Sequence, residues 1–202
     1  AIFVDVIANS NPDATNFRNQ LDDLNRFCTF NRLPPRSGQA LREYHYESWQ
    51  KQLAESRQRV ADLLSPKLQA DVAWEVNRKW LEGIPFLRRA EKTMLVRIAL
   101  SLHPFVYAPR ERPPPRRLYV IFKGAATFKG KTLTDGDFWG EQDVLLRSQR
   151  VRRPTAFTIT YLHVNFIGPR SLEESSKDFP ESYRAMRAWV VFQAIKEYLL
   201  DY

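Results

Sequence analysis

"DGDFWGEQDVLLRSQRVRRPTA", residues 135–156, sets a tight glycine turn, a Gly-Glu pair, a short apolar run and a cluster of arginines in one line. Arg147, Arg150, Arg152 and Arg153 fall within seven positions and run up to Pro154. Positive charge gathered behind a glycine turn serves either as a solvated basic loop or as a pocket for a phosphate. Gly140 lets backbone N–H groups come close to an anion. Glu141 can accept hydrogen bonds from sugar hydroxyls, and an arginine a short segment later can pair bidentately with a phosphate. The elements around this stretch decide between the two.

Those elements are strands. "FVYAP", "RLYVIFKG", "AATFKGKTLTDGDFWG" and "TAFTITYLHVNFIG" are short, rich in β-formers and separated by Pro or Gly turns, which predicts a compact β-structure. "RERPPPRR" reads as an irregular surface loop, because prolines cannot donate to a ladder. "GAATFKGKT" resembles a phosphate-binding P-loop, but five residues rather than four separate Gly124 from Gly130. The turn "TDGD" also follows where that motif needs a helix N-terminus. A β-hairpin with Gly130 at its tip is expected instead. Beyond Pro169 the helical period returns, in a short "SLEESSKD" and a long "ESYRAMRAWVVFQAIKEYLL", with Met186, Trp189, Val190 and Ile195 available to pack.

The first half of the chain reads as helices. Phe17, Leu21, Leu24 and Cys28 recur at helical spacing, and Pro34-Pro35 stops that run and can open the next. There Leu41, Tyr44, His45 and Trp49 share a face. Ser65-Pro66 opens a third helix with a capping residue and a proline at the first helical position, ended by Gly83 and Pro85. "FLRRAEKTMLVRIALSL" is predicted as a further amphipathic helix before Pro104.

At 202 residues, with 44% hydrophobic and 13% aromatic residues, the chain can hold one large domain or two small ones. The lone Cys28 cannot form an internal disulfide, so a reducing, cytosolic setting is the simplest expectation. A net charge of +8 favours acidic partners without choosing among nucleic acid, an anionic membrane and phosphorylated small molecules. His45, His103 and His163 show no metal-ligand spacing, and no catalytic triad order or paired-carboxylate motif stands out, so neither a metal site nor an enzyme is expected. The opening "AIFVDVIANSN" makes a poor signal peptide and is too short to span a bilayer. Two readings of it stand: a buried N-terminal helix, or the last turns of a membrane helix.

In order along almost the whole chain, these strings resemble the cytosolic C-terminal region of the cation channels that carry a cyclic-nucleotide-binding domain. That family includes the cyclic-nucleotide-gated, hyperpolarisation-activated and ether-à-go-go-type channels. "AIFVDVIANSN" looks like the inner end of the pore-lining helix. "FRNQLDDLNRFCTFNRLPPRSGQALREYHYESWQ" is similar to the first C-linker helices, and "LLSPKLQADVAWEVNRKWLEGIPFL" to the later ones. "LHPFVYAP", "LYVIFKGAATF", "DGDFWGEQ" and "FPESYRAMRAW" follow in the family's order. The resemblance implies an α+β chain: a helical C-linker followed by a jelly-roll-like β-roll with closing C-terminal helices. It places the pore-helix end and C-linker at 1–83 and the cyclic-nucleotide-binding or homology domain at 84–202.

The same resemblance implies a gating region on the cytosolic face of a voltage- or cyclic-nucleotide-regulated cation channel, of the potassium-conducting kind. Its partners would be three further copies, joined through C-linker helices, and the channel's transmembrane domain. No nucleic acid is implied, and membrane only through the upstream part. Cyclic AMP or cyclic GMP would be the ligand, with no metal: Gly140 and Glu141 on the ribose side, an arginine on the phosphate, and Lys196 near the base. Counting back without gaps from Tyr161 puts Arg152 at the phosphate position, with Arg153 next in register; aligning on Thr155-Ala156 puts proline there instead. The segment that joins the family's second and third strands is shortened here to "PRERPPPRR". Two outcomes therefore stay open, a pocket that takes a nucleotide and an ether-à-go-go-type pocket that is closed or filled by the chain's own tail, "YLLDY". A soluble transcription factor of the catabolite-activator type shares the roll but places a helix-turn-helix after the long helix, and a kinase regulatory subunit carries tandem binding domains.

Overall fold

The computed structural model describes residues 12–146 and 154–200. The chain divides into two compact units, Ala1–Gln58 and Arg59–Tyr202. None of the described helices is long and apolar enough to cross a membrane.

In the first unit α1 (Pro12–Phe30) is followed by α2 (Pro35–Asp62), each beginning on a proline whose missing N–H costs a helix start little. Phe17 of α1 stacks on His45 of α2, their ring centroids 5.0 Å apart and nearly parallel, and meets Trp49 at the same 5.0 Å distance. The Arg42 guanidinium donates to the Asn25 side-chain oxygen at 3.2 Å. The aromatic face read from "LREYHYESWQ" is therefore the face α2 turns toward α1.

The second unit opens with α3 (Pro66–Gly83) and α4 (Lys92–Leu100). Ser65 occupies the N-cap of α3 with proline behind it, although its hydroxyl makes no capping bond. The helix expected over "FLRRAEKTMLVRIALSL" forms only from Lys92. Ile84 is held extended ahead of Pro85, as residues before proline are, and two successive turns follow: Leu87 N–H donates to Ile84 O at 3.0 Å and Ala90 N–H to Leu87 O at 2.9 Å. Those turns bury Phe86 and Leu87. Trp74 is buried in the same core and Trp80 meets Phe122 edge-on at 6.2 Å, so these two aromatic residues are used internally, while Tyr46 is exposed.

The β-roll comprises β1 (His103–Tyr107), β2 (Leu118–Lys123), β3 (Ala126–Phe128), β4 (Lys131–Leu133), β5 (Phe138–Trp139), β6 (Phe157–Thr158) and β7 (Leu162–Ile167). They form two antiparallel sheets, in the orders β1-β7-β2-β5 and β4-β3-β6. Lys129 and Gly130, both at positive φ, make the tight turn between β3 and β4, so Gly130 does sit at a hairpin tip. A short α5 (Glu141–Leu145) follows β5, and α6 (Pro169–Ser176) and α7 (Pro180–Leu200) close the unit. Helical half, β-roll and closing helices thus follow in the expected order, an α+β fold.

Strand β2 explains the core. Its Leu118 and Val120 join a cluster with Leu81, Met94, Leu172 and Val190 from the helices, while Tyr119 and Ile121 point into the roll beside Trp139 and Val164. Alternate residues of one strand serve two cores, which is why "LYVI" is apolar without a break. Met186, Trp189 and Val190 of α7 pack as expected, but Ile195 is exposed. The "RERPPPRR" loop is irregular, yet it is stapled rather than loose. The Thr158 hydroxyl donates to Ala108 O at 2.6 Å and accepts from Glu111 N–H at 2.8 Å, and the Tyr119 hydroxyl donates to Pro114 O at 2.8 Å.

Candidate functional site

The site grows from Gly140, the residue between β5 and α5. Its φ of +88° lies in the left-handed region, and a Cβ there would strike the carbonyl oxygen of Arg117. Only glycine brings the chain this close to the start of β2, and that closeness sets the position of the next residue, Glu141. Burial pushes the Glu141 carboxyl above its usual range; nearby Lys129 opposes the shift, and Glu197 and Asp143 add to it.

Lys129 reaches over from the hairpin. Its ammonium pairs with Glu197 Oε2 of α7 at 2.7 Å, and the Gln142 side-chain amide donates to the same oxygen at 3.0 Å. Burial alone would raise the Glu197 carboxyl, but the hydrogen bonds from Lys129 and Gln142 outweigh it and hold it below the ordinary value. One carboxylate of the last helix is thereby tied to both the hairpin and α5.

Around these groups lies a cleft of about 620 Å³. The hairpin supplies Phe128, Lys129 and Lys131, β5 supplies Trp139, α5 supplies Glu141 and Gln142, and α7 covers it with Trp189, Gln193 and Glu197. Clefts of about 300–1,000 Å³ are the size that takes small organic ligands. A second hollow of about 80 Å³, lined by Gly140, Glu141, Asp143, Leu146 and Pro154, shares Phe128, Lys129, Glu141 and Gln142 with the first.

Of the residues singled out in the sequence, Glu141 lines both the cleft and the smaller hollow, and Gly140 lines the smaller hollow alone. Arg152 and Arg153 lie outside the described residues, as do Arg147 and Arg150. Lys196 is exposed on α7, and its neighbour Glu197 is the one that turns to the cleft. Lys129, Gln142 and Glu197 were not read from the sequence. The i, i+4 spacing of Trp189, Gln193 and Glu197 could have found the last of them. A lysine beside a hairpin glycine reads as a solvated tip, and nothing local distinguishes Lys129 from one.

The two carboxylates respond to pH in opposite senses. Glu197, whose value is lowered in the fold, stabilises it above the ordinary carboxylate range and loses that contribution as the pH falls through the folded-state value. Glu141, whose value is raised, costs stability when ionised, and the fold regains it as the pH falls through the raised value. Glu141→Gln should therefore raise the melting temperature of the ligand-free chain at neutral pH. Thermal melts of both proteins across the carboxylate range should show that gain shrinking as the wild-type carboxyl protonates.

No family model matches the chain. It is 24% identical over 194 residues to a cyclic nucleotide-gated cation channel protein of Drosophila melanogaster, an overlap of 88% of this chain and 29% of that protein. It is 22% identical over 213 residues to the human cyclic nucleotide-gated channel alpha-3, covering 97% of this chain and 30% of that one. The rod photoreceptor cyclic nucleotide-gated channel of Gallus gallus, in its alpha form, is 24% identical over 212 residues, with 97% and 33% covered. Homologues along some nine-tenths of the chain are thus cyclic nucleotide-gated channels, which supports the resemblance to a cyclic-nucleotide-binding region of that channel type. The chain spans about a third of the length of these relatives.

Proposed function

We propose that this chain is the gating region of a multimeric cation channel, a binding and coupling module rather than an enzyme. In this reading residues 1–83 are the end of a pore-lining helix and a C-linker, residues 84–202 are the cyclic-nucleotide-binding domain, and four copies assemble through their C-linkers on the cytosolic face of a membrane. The observation that carries it is the 620 Å³ cleft, walled by Glu141 beside the glycine turn and covered by α7, in a chain similar over most of its length to channels named for gating by cyclic nucleotides.

A cyclic nucleotide would place its ribose hydroxyls at Glu141 and the Gly140 backbone and its phosphate at Arg152, or at Arg153 in the neighbouring register. The base would lie toward α7, with Lys196 at the rim. Occupying the cleft would change the bonds that Glu197 makes to Lys129 and Gln142, and so shift α7 over the roll. Such a shift biases a pore only if the ligand binds one state more tightly than the other. A coupling of about 1–3 kcal/mol is enough to do so. One observation favours a second reading, the ligandless kind: the Lys129–Glu197 pair, both of whose residues line the cleft, already ties α7 to the hairpin. In that reading the chain's own C-terminal residues fill the pocket.

Calorimetric titration with cyclic AMP and cyclic GMP separates the two. Losing a charge-assisted bidentate contact costs about 2–4 kcal/mol, so Arg152→Ala should weaken affinity by roughly thirty-fold to several hundred-fold. A chain that binds neither nucleotide at roughly millimolar concentration is the ligandless kind. Tight binding that Arg152→Ala leaves unchanged would refute the role given to Arg152.

A further inference from the structure

Helix α7 is anchored along its first half. Met186 and Val190 are buried in the core, and Trp189 meets Phe86 with ring centroids 5.7 Å apart. From Val191 to Leu199 no residue is buried, and only Gln193 and Ala194 are half-buried. A stretch of helix without buried side chains opens at little cost. Two hydrogen bonds tie this stretch to the roll, from the Lys129 ammonium at 2.7 Å and the Gln142 amide at 3.0 Å, and both end on one oxygen, Glu197 Oε2.

Lys129 is an unexpected residue where it stands. It is the first of the two turn residues between β3 and β4, at φ +50°, with Gly130 behind it at φ +75°. A two-residue hairpin turn with both residues at positive φ favours Asn-Gly, because asparagine accepts that region more readily than a lysine does. Asparagine would relieve the backbone here; what lysine supplies instead is an ammonium that reaches α7. The pair is partly open to water, its side chains 32% and 47% exposed, so it is weak enough to be broken and remade. We propose that Lys129, Gln142 and Glu197 form a latch, which holds the second half of α7 against the roll over the cleft and opens the cleft when it breaks. That the cleft is what the latch guards rests on the function proposed above. The latch itself is tested without any ligand, so it can fail while that function stands, and the reverse.

Spin-label distances in the ligand-free chain read the latch directly. Nitroxides are placed on Ile195→Cys of α7 and on Asp135→Cys of the turn before β5, both exposed positions, in a Cys28→Ser background. Lys129→Asn and Glu197→Gln should each enlarge a longer-distance population by about two- to five-fold, the range a partly exposed ion pair can control. Roughly 1 M salt should do the same to the chain with its latch intact and little to Lys129→Asn. A mere structural brace would behave differently, since its loss would lower the melting temperature. Lys129→Asn should leave the melting temperature unchanged or raised, because the turn gains a residue that accepts positive φ. Distance distributions that are identical in the labelled parent and both variants would overturn the proposal. So would a melting temperature lowered by Lys129→Asn with no longer distances, which would make the pair a brace.

Discussion

Gly140→Ala should cost the fold about 4 kcal/mol or more, a loss large enough to unfold a marginally stable domain at physiological temperature. Two terms add at this position. The backbone sits at φ +88°, a conformation that costs an L-residue about 1–2 kcal/mol. The new methyl would also be driven into the Arg117 carbonyl, a backbone atom at the start of β2 that cannot rotate away. Gly136 isolates the first term, because its φ is +87° while a Cβ there meets nothing within 4 Å. Gly136→Ala should therefore cost only about 1–2 kcal/mol. Urea unfolding of the two variants measures the steric part directly. Equal midpoints for Gly140→Ala and Gly136→Ala would mean that the close approach to Arg117 contributes nothing.

This contrast shows what a sequence can and cannot say about the site. Gly140-Glu141 stood out because a glycine beside a carboxylate, after a β-turn, is a local pattern with a local cause. The Lys129–Glu197 pair joins residues 68 apart in the chain, and no short string announces it. Strand β2, the hairpin at Gly130 and the helices on either side of the roll were legible from period and turn chemistry. Ile195 was misjudged because α7 is apolar on two sides, and periodicity alone cannot tell which side faces inward. The "RERPPPRR" loop was legible as irregular from its prolines, but its place depends on hydroxyls of Thr158 and Tyr119 that the fold delivers from elsewhere. "FLRRAEKTML" carries a helical period, yet its first half is held in turns that bury Phe86 and Leu87, because packing outweighs propensity there.

Trp139 is the second residue whose loss should be severe, and no sequence motif marks it as more than the neighbour of Gly140. It is 4% exposed, and its ring lies parallel to that of Tyr119 with centroids 4.6 Å apart. Tyr119 in turn holds the proline loop through Pro114 O and meets the Tyr107 hydroxyl at 3.3 Å. Trp139 also forms part of the cleft wall, so one side chain supports the roll interior and shapes the site. Truncating a buried tryptophan removes its transfer free energy and leaves a cavity, so Trp139→Ala should cost about 3–5 kcal/mol. Trp139→Phe keeps a ring against Tyr119 and leaves a smaller void, at about 1–2 kcal/mol. Because the stack orders Tyr119, Trp139→Ala should also release the proline loop, with faster amide exchange at Glu111 and Arg116 than Trp139→Phe produces. Equal stability losses from the two variants, with the loop unchanged in both, would show that Tyr119 is held by Ile121 and Val164 rather than by the tryptophan ring.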